Sequence, residues 1–228
     1  MQHKPLTGIR ILELGGYISL PYATSMLSAL GADVVKVEKP GTGDDFRRGD
    51  NDRSPNFIQH NAGKRSLSVD LKSPAGVALV KALIPRFDVL VENLRPGKLA
   101  AIGLSRADCA ALRPDLVYGS LTGFGNGGPL AQRPAYDTIG QSFGGLYSLS
   151  SNAGTAQLSG TIFAESRGCG CCGRGPSALP ACPPAWARAA WRAVRANLAG
   201  SASSPRCTSA ASARVSDATR TASSSRGA

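Results

Sequence analysis

Lys39, Arg47, Arg48, Lys64, Arg65, Lys72, Arg95 and Lys98 gather in segments that follow short apolar runs. If those runs are parallel strands, the loops after their C-terminal ends share one edge of a sheet. That is the edge where open α/β sheets bind ligands. A solvated basic rim accounts for any single one of these cations. Their recurrence after run upon run points to an anionic ligand of the polyphosphate type.

Two other clusters carry weaker chemistry. Gly15 and Gly16, in "ELGGYISLP", sit in a first strand-to-helix turn, and Glu38 follows the second apolar run, in place to hold a ribose. The dinucleotide fingerprint G-x-G-x-x-G needs glycines at fixed offsets, and its triad is incomplete here. A nicotinamide or flavin enzyme is therefore not expected, and the glycine pair reads as a tight strand exit. Cys169, Cys171 and Cys172 form "CGCC". Zinc sites close a tetrahedron from paired C-x₂₋₄-C spacings, so this cluster is too tight. Cys182 and Cys207 have no partner, and no metal is expected.

The elements that must position the cations alternate along the chain. "GIRILELGG" reads as a buried strand. "SLPYATSMLSALGA" reads as a helix with Pro21 near its start, Tyr22, Met26, Leu27 and Leu30 on one apolar face, and Gly31 at the C-cap position. "DVVKVE" is a second strand, making a βαβ unit with parallel strands and a right-handed crossover. "SLSVDL" is a strand, and "SPAGVALVKALIPRF" a helix with Ser73 as N-cap, Pro74 in the first turn, and Val77, Val80 and Ile84 at helical spacing. "DVLVEN" is a strand, "PGKLAAIG" and "SRADCAALR" short helices, "DLVYGSLTGFG" a strand, and "YDTIGQSFGGLYSLS" a helix despite its glycines. The fold class is α/β: a Rossmann-like, doubly wound parallel sheet with flanking helices.

Composition divides the chain near residue 165. Of the net charge of +11, +8 lies beyond Glu165, where nine Arg face the single acid Asp217. Five of the six Cys lie there too, and Cys109 alone precedes it. The segment 166–228 contains no Lys, Glu, Gln, His, Ile, Phe, Tyr or Met. It has too few large apolar residues to offset the entropy of ordering it, so it reads as a disordered, low-complexity tail. "WARAAWRAVRANLAG" could form a local basic helix. A GC-rich gene read out of frame gives such a composition, and a genuine basic tail binding phosphate without sequence preference is the alternative. The first residues lack the apolar core of a signal peptide, and no 18-residue apolar run occurs. The expectation is a cytoplasmic protein with no membrane span, no disulfide framework and no specific nucleic-acid partner.

Four segments are recognisable in order: "PLTGIRILELGGYISLPYATSMLSALGADVVKVEKPGTGDDFR", "NAGKRSLSVDLKSPAG", "VLVENLRPG" and "LTGFGNGGPLAQRPAYDTIGQ". They resemble the family III CoA-transferases, a family that includes formyl-CoA and carnitine CoA-transferases and alpha-methylacyl-CoA racemase. Its older label is L-carnitine dehydratase/bile acid-inducible protein F. The likeness covers residues 5–165, which makes that stretch the N-terminal part of the family's large domain. Family members are about twice that length and form interlocked homodimers.

The resemblance implies a CoA site. It places Tyr17 and Ile18 at the nucleotide and Lys39 near the 3′-phosphate or diphosphate. Val69, Asp70, Leu71 and Lys72 would line the adenine and phosphates, as would Asn93, Leu94 and Arg95. Arg133 and Tyr136 fall near the pantetheine end. CoA and acyl-CoA enter as substrates, with a carboxylic acid as acceptor and no permanently bound cofactor. One departure is that a CoA-contacting arginine of the family falls at Ala101, with Arg95 and Lys98 as the neighbouring cations.

The family's transferases attack the thioester with an aspartate, passing through an acyl anhydride and an enzyme–CoA thioester. "LSGTIFAES" places Glu165 there, with the right functional group on a side chain one methylene longer. The racemases of the family need a His before an Asp. This chain reads "AYD" with Tyr136 in the His position, and its histidines, His3 and His60, lie elsewhere. The expectation is a CoA-transferase by ancestry, inactive as this chain stands. The alternatives are a non-catalytic CoA-binding remnant, a racemase of the same family and a basic nucleic-acid-binding protein.

Overall fold

A computed structural model of the chain describes residues 4–47 and 53–150 together with residues 155, 157 and 162. Glu165, the cysteine cluster and the basic tail lie outside the described residues, as does the proposed boundary at 165/166.

Five strands form one parallel sheet: β1 (Arg10–Leu14), β2 (Asp33–Glu38), β3 (Arg65–Ser68), β4 (Val89–Glu92) and β5 (Val117–Ser120). Their spatial order is β3-β2-β1-β4-β5. The order reverses between β1 and β4, and this switch point is where an open α/β sheet leaves a crevice beyond its strand ends. The doubly wound reading of the sequence holds.

The sheet's two faces have separate cores. Leu12, Leu14, Val35, Val37 and Leu90 point to the face covered by α3 (Pro74–Leu83), packing with Val80 and Ile84. Ile11, Val34, Val89 and Val91 point to the other face, against Leu20 and Leu27 of α1 (Ser19–Ala29). Leu12 and Leu90 are completely buried. Truncating either to Ala would cost about 2–5 kcal/mol.

Helix starts follow the expected chemistry. Ser73 Oγ accepts from the Gly76 N–H at 3.0 Å, one residue before Pro74 opens α3. Ser105 and Asp108 cap each other at the head of α5 (Arg106–Leu112): the Asp108 N–H donates to Ser105 Oγ and the Ser105 N–H to Asp108 Oδ2. Such reciprocal caps satisfy two otherwise orphaned donors.

Several expectations need correction. Helix α2 (Pro55–Asn61) was not foreseen, because "PNFIQHN" shows no clean apolar stripe. The buried face of α1 is Leu20, Ala23, Thr24 and Leu27, while Leu30 is exposed and Tyr22 and Met26 are half-buried. Ala23 and Thr24 share the sheet-facing side with Leu20 and Leu27, which leaves Tyr22, Met26 and Leu30 off that side. "YDTIGQSFGGLYSLS" is two helices, α6 (Asp137–Phe143) and α7 (Leu146–Leu149), broken where Gly145 takes φ +77°. The third strand ends at Ser68, so residues 69–72 are loop, although the Val69 N–H still donates to the Glu38 carbonyl of β2 at 2.9 Å. Between α3 and α5, α4 is a single turn, Lys98–Ala101.

Candidate functional site: a cavity at the strand ends

The loops after all five strands meet around one cavity of about 700 Å³. Gly15, Gly16 and Tyr17 follow β1, Lys39 to Asp45 follow β2, and Val69 to Lys72 follow β3. Asn93 to Pro96 follow β4, Leu121 to Gly123 follow β5, and Arg133 to Tyr136 complete the wall. The volume suits an organic ligand far larger than a single anion.

The first loop is fitted tightly to the fourth. A Cβ on Gly15 would stand 2.1 Å from Asn93 Oδ1, so only glycine fits there. The Gly16 N–H donates to Asn93 Oδ1 at 3.0 Å, and Asn93 Nδ2 donates to the Gly16 carbonyl at 2.8 Å. Tyr17 then takes φ +63°, left-handed backbone that a side chain with a Cβ rarely adopts. Its ring meets Phe46 and Tyr136 edge-on, with centroids 5.7 and 6.1 Å away.

The second loop hangs on Glu38, at the end of β2. Its carboxylate accepts from Arg47 Nε at 2.6 Å and Nη2 at 2.8 Å, from Ser66 Oγ at 2.6 Å, and from the Asp44 N–H at 2.9 Å. Burial works to raise this carboxyl, but Arg47, Ser66 and the Asp44 amide outweigh it and hold the group down at about 2. Glu38 is thus spent on its own loop, which leaves it unsuited to the ribose role that the dinucleotide reading would give it. Lys39 Nζ lies 3.0 Å from Asp45 Oδ1 at the cavity's exposed edge. Lys39 first, and the Tyr17 hydroxyl as well, lower the Asp45 carboxyl against a smaller opposing effect of burial.

The third loop turns on Asp70: the Lys72 N–H donates to its Oδ1 at 2.9 Å, and its carbonyl accepts from Ser73 Oγ at 2.9 Å. Lys72 and Arg95 are both exposed where they line the cavity.

Of the residues singled out in the sequence, Tyr17, Lys39, Val69, Asp70, Leu71, Lys72, Asn93, Leu94, Arg95, Arg133 and Tyr136 all line this cavity. Ile18 is buried at the head of α1, only 4 % exposed, and is not among the lining residues. Of the eight recurring cations Arg48 lies outside the described residues, and of the other seven Lys39, Lys72 and Arg95 reach the cavity. Arg65 opens β3 and pairs with Asp33, Arg47 is held on Glu38, and Lys98 opens α4 outside the lining. His60 is buried on α2, its Nδ1 2.7 Å from the Asn56 carbonyl, and no histidine lines the cavity among the described residues.

Sequence reasoning missed a buried ionic cluster beneath the first two loops. Glu13 and Lys36 are register partners on β1 and β2, with Nζ 2.8 Å from Glu13 Oε1. Lys64 Nζ lies 2.9 Å from Glu13 Oε2, and Thr24 Oγ1 donates to that same oxygen at 2.6 Å. Lys36 Nζ also lies 2.8 Å from Asp44 Oδ2. Burial drives Lys64 down to about 8 despite Glu13, while for Lys36 the flanking Glu13 and Asp44 overcome burial and hold it above its ordinary value. The signal was present: opposite charges inside otherwise apolar runs, "RILEL" and "DVVKVE", that pair in one βαβ unit.

Among the described residues no helix is long and apolar enough to cross a membrane, and no group of His, Cys, Asp and Glu is arranged to hold a metal ion.

Comparison with known proteins agrees with this geometry. The profile described as "CoA-transferase family III" matches residues 6–172. Succinyl-CoA:glutarate CoA-transferase of Mus musculus is 44% identical over 147 residues, which is 63% of this chain and 34% of that protein. Succinate--glutarate CoA-transferase of Agrobacterium fabrum is 42% identical over 155 residues, 64% of this chain and 39% of that protein. The crystal structure of a CAIB/BAIF family protein from Brucella suis superposes with a TM-score of 0.68 at 36% identity, covering 73% of this chain and 46% of that one. The chain thus spans little more than a third of the length of these curated relatives. With its sheet order, its strand-end cavity and a match over residues 6–172, the chain belongs to CoA-transferase family III.

Proposed function

We propose that the cavity binds coenzyme A and its thioesters, and that the protein serves transfer of CoA from an acyl-CoA to a carboxylic acid. The observation that carries this is the convergence of Lys39, Lys72, Arg95 and Arg133 on one large cavity, to which Leu14, Val37, Val69, Leu71, Leu94 and Leu121 add apolar wall. Of the carboxylates that also line it, Glu38 is held by Arg47, Asp44 by Lys36 and Asp45 by Lys39. Spaced cations suit the separated phosphates of CoA, and apolar walls suit adenine and pantetheine.

In this reading Glu165 supplies the carboxylate. It attacks the thioester carbonyl, giving a mixed anhydride and CoA thiolate. The thiolate then attacks the enzyme carbonyl, releasing the first carboxylate and leaving CoA on the enzyme as a thioester. The acceptor acid attacks that thioester, giving a second mixed anhydride and CoA thiolate, and the thiolate attacks the new acyl carbonyl, releasing the acyl-CoA product and the free Glu165 carboxylate. Charges and bonds balance without a redox partner. Assembly as an interlocked homodimer and a cytoplasmic setting belong to the same reading.

A second reading, a CoA-binding protein without turnover, is supported by the side chain that the family resemblance puts at the nucleophile position, Glu165 in place of Asp. Displacing a nucleophile by about 1 Å can lower a rate on the order of 10²-fold. Calorimetry of the full chain with CoA, with NAD as control, tests the site. Binding of CoA but not NAD is expected, and no CoA binding overturns the proposal. CoA exchange between acyl-CoA donors and dicarboxylic acids then separates the two readings. Turnover abolished by Glu165→Gln establishes the transferase, and its absence leaves the binding protein.

A further inference from the structure

We propose that Lys36 is a positioning residue for the cavity: its buried ammonium ties the Gly15 carbonyl of the first loop to the Asp44 carboxylate of the second, and so sets the gap between two cavity walls. The CoA reading of the ligand underlies the affinity part of this proposal, but the loop geometry does not depend on it.

Lys36 is 1 % exposed, and its three N–H bonds are matched by three oxygens. Nζ donates to Glu13 Oε1 at 2.8 Å and to the Gly15 carbonyl at 2.8 Å, and lies 2.8 Å from Asp44 Oδ2. Two of these three contacts are to residues that line the cavity, one from each of two separate loops. Neutralising Glu13 does not explain them, because Lys64 and Thr24 already serve its other oxygen.

Asp44 faces both ways. Its Oδ1 accepts from the Phe46 N–H at 2.9 Å and shapes its own loop. Its Oδ2 is buried, and the Lys36 ammonium 2.8 Å away is the charge that compensates it. A Cβ on Gly16 would lie 3.2 Å from that same oxygen, so the two loops touch where Lys36 joins them. Buried ion pairs are often no better for stability than apolar residues of equal volume. A contact that adds little stability yet joins two walls of a binding cavity is better explained by the shape it imposes.

The cluster contains two cations and two anions, which allows a test that separates shape from stability. Lys36→Met alone leaves Asp44 as an uncompensated buried charge and is expected to unfold at markedly lower temperature. Lys36→Met with Asp44→Asn removes one charge of each sign and leaves Glu13 paired with Lys64. The full chain of this double variant should regain the wild-type amide protection of β1, β2 and β4. Amides of residues 15–17 and 44–46 should still exchange roughly ten- to a hundred-fold faster than in wild type, the scale of one lost charge-assisted hydrogen bond. CoA affinity should fall roughly tenfold or more. Wild-type exchange in both loops of the double variant would overturn the proposal, and so would protection lost evenly across the sheet. If wild-type protein does not bind CoA, the ligand reading fails, and the exchange pattern still decides the role of Lys36.

Discussion

Asn93, at the end of β4, and Gly16, in the turn after β1, exchange two hydrogen bonds of 2.8 and 3.0 Å across the point where the strand order reverses. The pair closes the floor of the cavity, and it dictates Gly15, whose missing side chain leaves room for the Asn93 amide. Gly15→Ala is therefore expected to cost about 1–3 kcal/mol, the usual penalty of overpacking. Asn93→Ala loses two hydrogen bonds but opens that space. The double variant should be less destabilised than the sum of the singles, because the carbon added by one fills space vacated by the other. Leu20 Cδ2, only 2.6 Å from the same Cβ position, keeps the rescue partial. Denaturant titration of all four proteins measures the coupling, and additivity would show that the two residues do not share the space.

Much of this site was legible in the sequence because loops after strands carry their position with them. "GIRILELGG", "DVVKVE" and "DVLVEN" are apolar runs with abrupt ends, so counting from a strand end puts Lys39 at this edge, while Tyr17 and Asn93 were singled out by the family resemblance; all three line the cavity. Lys64 and Arg65 were placed by the same logic and wrongly, since Lys64 precedes β3 and Arg65 opens it instead of following a strand. The Glu13–Lys36 pair escaped notice because charged residues within a strand normally mark a solvent face. Here both lie on the face covered by α1, where Thr24 and Lys64 complete their partners. Pattern alone does not reveal burial when the partner comes from elsewhere in the chain.

Glu38 gives the fold an acid limit. Its folded carboxyl titrates at about 2, below its ordinary value of 4.5, because Arg47, Ser66 and the Asp44 N–H outweigh burial. A group depressed on folding stabilises the protein fully above its unfolded value, and that contribution is lost as pH falls through the folded one. Stability should therefore decline between about pH 4.5 and pH 2. Glu38→Gln should lower stability at pH 7 on the order of 1–3 kcal/mol, since hydrogen bonds to a charged group are lost. It should also flatten the decline over that acid window. Thermal unfolding of both proteins across this range checks the sign, and an unchanged slope would assign the acid sensitivity to another group.

Lys72 and Arg95 reach the cavity from the loops after β3 and β4, on opposite sides of the sheet's centre. Each is exposed, so each should act on a bound phosphate as a screened charge. Lys72→Ala and Arg95→Ala are expected to weaken CoA binding by about five- to ten-fold each at low salt, and by less at high salt. Lys98→Ala, on α4 outside the lining, should leave affinity unchanged. Titrations at two ionic strengths distinguish these residues. Equal effects of all three would mean only a diffuse basic field.

Asp45 competes with the ligand for Lys39. Its carboxylate lies 3.0 Å from Lys39 Nζ and also takes the Tyr17 hydroxyl, and all three residues line the cavity. An arriving phosphate must share or displace that carboxylate and meets its negative charge in doing so. Both partners of the ion pair are largely exposed, with side chains 67 % and 44 % accessible, so the pair itself contributes little to stability. Asp45→Asn keeps the size and an acceptor for Tyr17 but removes the charge. The fold should be unaffected while CoA binds roughly two- to five-fold more tightly at low salt, the range expected of one exposed pair. The gain should shrink as salt screens the charge, and it should vanish in a Lys39→Ala background. Calorimetric titration of the two single variants and the double variant measures this directly. A loss of affinity in Asp45→Asn would instead mean that Asp45 holds Lys39 and Tyr17 in the geometry the ligand needs.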